Sequence, residues 1–190
     1  MILALNKPYG VLSKFTSENG QPTLADCVPV PEVYAAGRLD KDSEGLLLLT
    51  GDPAIAHRLT DPRYEHPKTY WVQVELEPDP AALQALGEGV LIEGKRTLSA
   101  EVRQLAEPAL WERSVPIRFR KSVPTAWIEI VLREGRNRQI RKMTAAVGHP
   151  CLRLVRVAIG AIALGDLAPG CWRPLGRAEE RALRATLGLA

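Results

Sequence analysis

The sequence has only three cysteines in 190 residues, Cys27, Cys151 and Cys171, an odd number with no Cys-x-x-Cys spacing. That scarcity argues against a disulfide framework and against a zinc site, and it makes a reducing cytoplasm the natural compartment. Long apolar runs are also missing. The only early one after Met1 is Ile2 to Leu5, and Asn6-Lys7-Pro8 cuts it off, so neither a signal peptide nor a membrane span is expected. There is no Gly-x-Gly-x-x-Gly fingerprint and no phosphate loop, which leaves a nucleotide cofactor unsupported. Internal repeats, low-complexity segments and linkers are absent as well.

What is present is an ordinary globular composition, 46% hydrophobic and 25% charged, in a chain long enough for one domain or two small subdomains with a sizeable core. The net charge of +3 is unremarkable, but its distribution is uneven. From Arg113 to Arg156 there are eleven Lys and Arg against two acids, Glu129 and Glu134, so that segment carries +9 and the rest of the chain −6. A polyanionic partner follows from that clustering.

The chain is organised around Gly37-Arg38-Leu39-Asp40-Lys41-Asp42-Ser43-Glu44-Gly45 and the four leucines and Thr50 behind it. Five charged residues stand in seven positions, bracketed by glycines, and run into an apolar stretch of strand length. This reads as an acidic loop at the mouth of a buried strand, the usual place for catalytic groups. The residues alone do not choose among Asp40, Asp42 and Glu44.

The remaining elements follow from local signals. Ile2–Leu5 reads as an opening strand, a turn or two of helix as forming around Thr23-Leu24-Ala25, and Val33–Ala36 as a short strand delivering the acidic loop. Asp52 and Asp79, each followed by proline, cap helices to Thr60 and to Leu86, the second stopped by Gly87. Lys68 to Leu76 alternates as a strand with Tyr70, Val72, Val74 and Leu76 on one face, and Val90 to Leu105 holds a hairpin or two short strands. Between Glu107 and Pro124 there is no periodicity, and Arg118, Arg120 and Lys121 form an exposed basic loop. A strand over Thr125–Arg133 leads to a helix capped by Asn137 and ended by Gly148. That helix sets Ile140, Met143, Thr144 and Val147 against the basic face of Arg138, Arg141 and Lys142. Leu152–Ala158 is a strand with Val155 and Val157 inward, and Arg177–Leu187 a final helix with a Glu180–Arg184 pair. Strands and helices without regular alternation make an α+β fold with a mostly antiparallel sheet.

Read from residues alone, three functions fit. The chain is an enzyme acting on nucleic acid through a carboxylate, an RNA-binding module with an incidental acidic loop, or, more weakly, a glycosidase using Asp40 and Glu44, which leaves the basic segment unexplained.

Four ordered motifs then carry a resemblance. Leu5-Asn6-Lys7-Pro8-Tyr9-Gly10-Val11, Gly37-Arg38-Leu39-Asp40-x-x-Ser43-Glu44-Gly45-Leu46-Leu47, Lys68-Thr69-Tyr70 and Glu134-Gly135-Arg136-Asn137-Arg138-Gln139-Ile140-Arg141 resemble those of bacterial ribosomal RNA pseudouridine synthases. Nearly the whole chain is covered. It is most similar to members that act on large-subunit (23S) RNA and lack a small N-terminal RNA-binding domain, since the first motif begins at Leu5. It departs from the usual pattern at Gly51-Asp52-Pro53 and at Lys142, often arginine.

The resemblance implies a single catalytic domain over residues 1–190 with a mixed, mostly antiparallel, bent central sheet flanked by helices and a catalytic cleft between two subdomains. It implies isomerisation of uridine to pseudouridine with no metal or other cofactor, on ribosomal RNA as partner, by a cytoplasmic and monomeric protein without a membrane association. Asp40 matches the catalytic aspartate, Tyr70 the tyrosine that stacks on uracil, and Arg141 the basic residue that pairs with the aspartate. Arg38, Lys7, Arg118, Arg120, Lys121, Arg136, Arg138 and Lys142 are the expected RNA contacts.

Overall fold

The computed structural model describes residues 1–17, 19–117 and 122–189. The chain divides into two compact units, Met1–His66 with Arg156–Ala190, and Pro67–Val155. The fold class is α+β, with four α-helices among the described residues and a mixed sheet.

The first unit is built on the leucine run. Strand β1 (Ile2–Lys7) pairs antiparallel with β3 (Glu44–Thr50), Leu3 opposite Leu49 and Leu5 opposite Leu47. Every residue of both strands is buried, which explains the continuous rather than alternating hydrophobic pattern. Burying the four side chains of Leu46–Leu49 contributes roughly 6 to 12 kcal/mol as an upper estimate. Strand β2 (Tyr34–Ala35) pairs with β3, and β11 (Trp172–Pro174) with β1. Helix α1 (Pro53–Thr60) starts where the sequence places it: Asp52 Oδ1 accepts from the amides of Ala54 and Ile55 at 2.9 and 3.3 Å. Those amide bonds, chiefly Ile55's, hold the Asp52 carboxyl below its ordinary value. Helix α4 (Arg177–Thr186) carries the expected Glu180–Arg184 pair at 3.1 Å. Its first turn is clamped by Arg173, whose guanidinium makes two 2.7 Å bonds to Glu179 and lowers that carboxyl to about 2.

In the second unit β4 (Lys68–Glu75) lies antiparallel to β8 (Thr125–Leu132) over its whole length, and β7 (Glu101–Leu105) flanks β8. Alternation sorts the faces. Val72, Val74, Ile128, Ile130 and Leu132 form a buried cluster with Leu86, Ile140, Met143 and Leu154, and Tyr70 packs against it. On the opposite face Trp71, Glu129 and Arg103 stand in cross-strand register, Glu129 accepting from Trp71 Nε1 at 3.0 Å and Arg103 Nε at 2.7 Å. Strand β9 (Cys151–Ile159) begins in this unit and ends in the first, where β10 (Ile162–Ala163) folds back on it.

The structure corrects several boundaries, the first at Leu76, which lies beyond β4 at φ +63° with its side chain exposed. Helix α2 (Pro80–Glu88) runs through Gly87 and stops at Gly89, whose positive φ of +91° is one that favours glycine. The hairpin region holds three strands, β5 (Leu91–Ile92), β6 (Lys95–Arg96) and β7. Helix α3 (Gln139–Ala146) is capped by Arg138 at φ +51° with no side-chain cap bond, not by Asn137. The buried Gln139 ties the segment leading into the helix, its Oε1 accepting from the Arg136 amide at 2.9 Å while its Nε2 donates to Glu134 at 2.6 Å. Along β9 the inward set includes Arg153 and Arg156 as well as Val155, while Val157 is half-buried.

Candidate active site

The acidic loop lies in the first unit, between β2 and β3. Ser43 and Glu44 are each only 1% exposed, Asp40 is half-buried and Arg38 is exposed, so the loop descends from solvent into the core within six residues. Gly45 is what lets it enter. Its φ is +102°, and a Cβ there would stand 2.3 Å from the carbonyl oxygen of Arg156 and 2.8 Å from its amide nitrogen. Backbone meets backbone at this point, and only glycine fits. Arg156 is itself buried and donates from Nε to the Leu46 carbonyl at 2.7 Å.

Lys7 has a different task from the RNA contact expected of it. Its side chain is fully buried, with Nζ donating to the carbonyls of Pro8 and Val11 at 2.8 Å each. Burial lowers its pKa to about 8, against the opposing pull of the Glu44, Cys27, Asp42 and Asp40 charges. An enclosed ammonium cannot reach a phosphate, and this one closes the turn that follows β1.

The second unit holds Tyr70, Arg141 and the basic helix. Tyr70 is half-buried on β4, and Arg141 on α3 donates from Nη1 to Cys151 Sγ at 3.6 Å. Arg136 grips the β5–β6 hairpin, donating to the carbonyls of Ile92, Lys95 and Arg96 at 3.0, 3.3 and 3.5 Å. Lys142 reaches Glu93 at the hairpin tip at 2.6 Å and draws that carboxyl below its ordinary value. These contacts give Arg136 and Lys142 a structural role within the unit. Arg138 is exposed, in the left-handed conformation that starts α3. Arg118, Arg120 and Lys121 lie outside the described residues.

Sequence reasoning missed Arg153, which holds Trp111. It is buried, donates to the Trp111 carbonyl at 3.0 Å and places its guanidinium carbon 5.6 Å from the Trp111 ring centre. The signal available was an arginine at both Arg153 and Arg156 inside an otherwise apolar strand.

A carboxylate on a loop held by a buried strand, with a tyrosine and a basic helix elsewhere in the chain, suits charge stabilisation or proton transfer on a polyanion. Comparison with known proteins gives that chemistry a family. Residues 1–146 match the model described as RNA pseudouridylate synthase. The chain is 61% identical over 176 residues to ribosomal large subunit pseudouridine synthase E of Xanthomonas campestris pv. campestris, covering 91% of this chain and 94% of that one. It is 53% identical to the protein of the same name from Vibrio vulnificus, covering 92% and 74%. Among solved structures, a crystal structure of a pseudouridylate synthase superposes with a TM-score of 0.80 at 30% identity, covering 96% of this chain and 73% of that one. With most of its length matched by the family model and by these relatives, the chain belongs to the RNA pseudouridylate synthase family.

Proposed function

We propose that the protein isomerises a uridine of 23S ribosomal RNA to pseudouridine and that Asp40 is its catalytic carboxylate. The observation that carries the target is the identity of 61% and 53%, over nine-tenths of the chain, with proteins named for the large ribosomal subunit. In the reaction the N1–C1′ bond breaks, the uracil turns, and C5 bonds to C1′. C5 gives up its proton and N1 gains one, so no electrons enter or leave. Bond cleavage develops positive charge at C1′, and a carboxylate can stabilise that charge, attack the sugar or take the proton.

Tyr70 stacks on the uracil in this reading, and Arg141 is the basic residue of the catalytic set. Arg38, exposed two residues from Asp40, helps to hold the nucleotide out of its helix. Extruding a base costs about a few kcal/mol, which phosphate contacts from the basic segment offset. Arg118, Arg120, Lys121 and Arg138 are the residues proposed for that grip. The cytoplasm is the proposed compartment and a single chain the working unit, the latter open to test by sedimentation.

The test is to map pseudouridines in ribosomal RNA with and without the protein and to follow tritium release from C5-labelled RNA. One 23S position gained on addition of the protein supports the proposal. Modification confined to small-subunit RNA overturns the target alone. Binding without tritium release from either RNA overturns the catalytic reading in favour of an RNA-binding module.

A further inference from the structure

We infer that Ser13 is a positioning residue for Asp40, its hydroxyl holding the backbone of the residue just before the aspartate. The inference rests on Asp40 being the catalytic carboxylate. Ser13 Oγ donates to the Leu39 carbonyl at 2.7 Å and accepts from the Leu39 amide at 3.0 Å. The Leu39 side chain is buried, 6% exposed, which draws these two backbone groups away from water and leaves them in need of partners. A hydroxyl is the smallest side-chain group able to donate and accept at once.

The hold continues through the next two residues. The Asp40 carbonyl accepts from the Ser43 amide at 3.0 Å, and the Lys41 carbonyl from the Gly10 amide at 2.8 Å. Three successive carbonyls around the carboxylate are thus tied, two of them by the Gly10–Ser13 segment that follows β1. That segment cannot drift. Lys7 bonds the carbonyls of Pro8 and Val11, and Leu12 donates to the Pro22 carbonyl at 2.9 Å. Ser13 lies two residues beyond the first motif, where nothing in the motif pattern marks it. Catalysis depends on aim: a displacement of about 1 Å at a reacting group costs about a hundredfold in rate. The clamp fixes the Cα from which Asp40 is aimed.

The experiment compares Ser13→Ala and Ser13→Thr by single-turnover tritium release, RNA affinity and amide hydrogen exchange. Alanine should lower the rate by about 10- to 100-fold with RNA affinity unchanged within about twofold. Threonine keeps the hydroxyl and should recover most of the rate. Exchange in the alanine variant should quicken at Leu39 to Lys41 and nowhere else in β1 or β3. A wild-type rate in Ser13→Ala, a threonine variant as slow as alanine, or faster exchange across the whole unit each overturn the proposal. An alanine variant that melts as a whole does the same, since it assigns the serine to the fold. Asp40→Asn separates the two readings. If it retains full activity, the role of Asp40 fails first; if it is inactive while Ser13→Ala is unaffected, only the role of Ser13 fails.

Discussion

The acidic loop and the basic helix are held by opposite means. Around Asp40 the ties are backbone groups, two glycines and one small hydroxyl, in surroundings buried enough that Lys7, Ser43 and Glu44 are all nearly inaccessible. Around α3 the ties are long side chains that are not buried, Arg136 and Lys142, reaching to a hairpin. Short ties between buried groups allow one geometry. Long ties at a surface yield by rotamer changes at little cost. A group that must be aimed at a reacting atom needs the first kind of support, and one that meets an irregular phosphate backbone is served by the second.

The sharpest way to break this comparison is at the carboxylate itself. Asp40→Asn should lower turnover by about a thousandfold or more, about 4 kcal/mol of barrier, while RNA affinity stays within a few-fold. Turnover within about tenfold of the wild type removes Asp40 from the role assigned to it.

Glycines test the difference in rigidity directly. Gly45→Ala places a Cβ against the Arg156 backbone at φ +102° and should cost about 3 to 4 kcal/mol in urea unfolding. Gly94, at φ +76° in the surface hairpin, has open space around it, so Gly94→Ala should cost about 1 kcal/mol. Equal losses at the two positions would remove the contrast.

Lys7 tests burial. Its pKa is lowered from 10.5 to about 8, so between those values the unfolded chain keeps a proton that the folded chain has lost. Stability therefore rises with pH across that window, by up to about 3 kcal/mol from this group. Wild type should gain on Lys7→Met between pH 7 and pH 10 in paired urea titrations. A difference that stays flat with pH contradicts the lowered pKa.

The smallest effect is expected at the hairpin. Lys142→Ala removes an exposed pair with Glu93 and should shift the melting temperature by less than about 3 °C, less still at high salt. A larger shift would show that the surface ties are as demanding as the buried ones.

The legibility of the sequence follows the same division. Helix α1 could be read from Asp52-Pro53, and β3 from its leucine run, because cap chemistry and unbroken burial write themselves into neighbouring residues. The stop of α2 could not be read correctly, since Gly87 and Gly89 offer the same local signal. Only Gly89 is forced: a Cβ there would lie 2.4 Å from the Thr97 carbonyl. Strand β11, three residues ending in proline, has almost no pattern of its own and exists through its pairing with β1. The motifs marked Asp40, Tyr70 and Arg141 but gave Lys7 and Arg136 no structural task, because a motif records which residues recur and not what each one touches.

By itself, then, the sequence determined the fold class, the leucine strand behind Asp40, the basic segment and the four motifs that place the chain in its family. These rest on periodicity, capping and charge, which act between near neighbours. The tertiary structure alone decided that Ser13 bonds Leu39 across 26 residues, that Gly45 lies against Arg156, and that Lys7 is enclosed beneath the acidic loop. Each of these depends on a backbone group finding a partner or a space far away in the chain, and no local pattern of residues records such a distance.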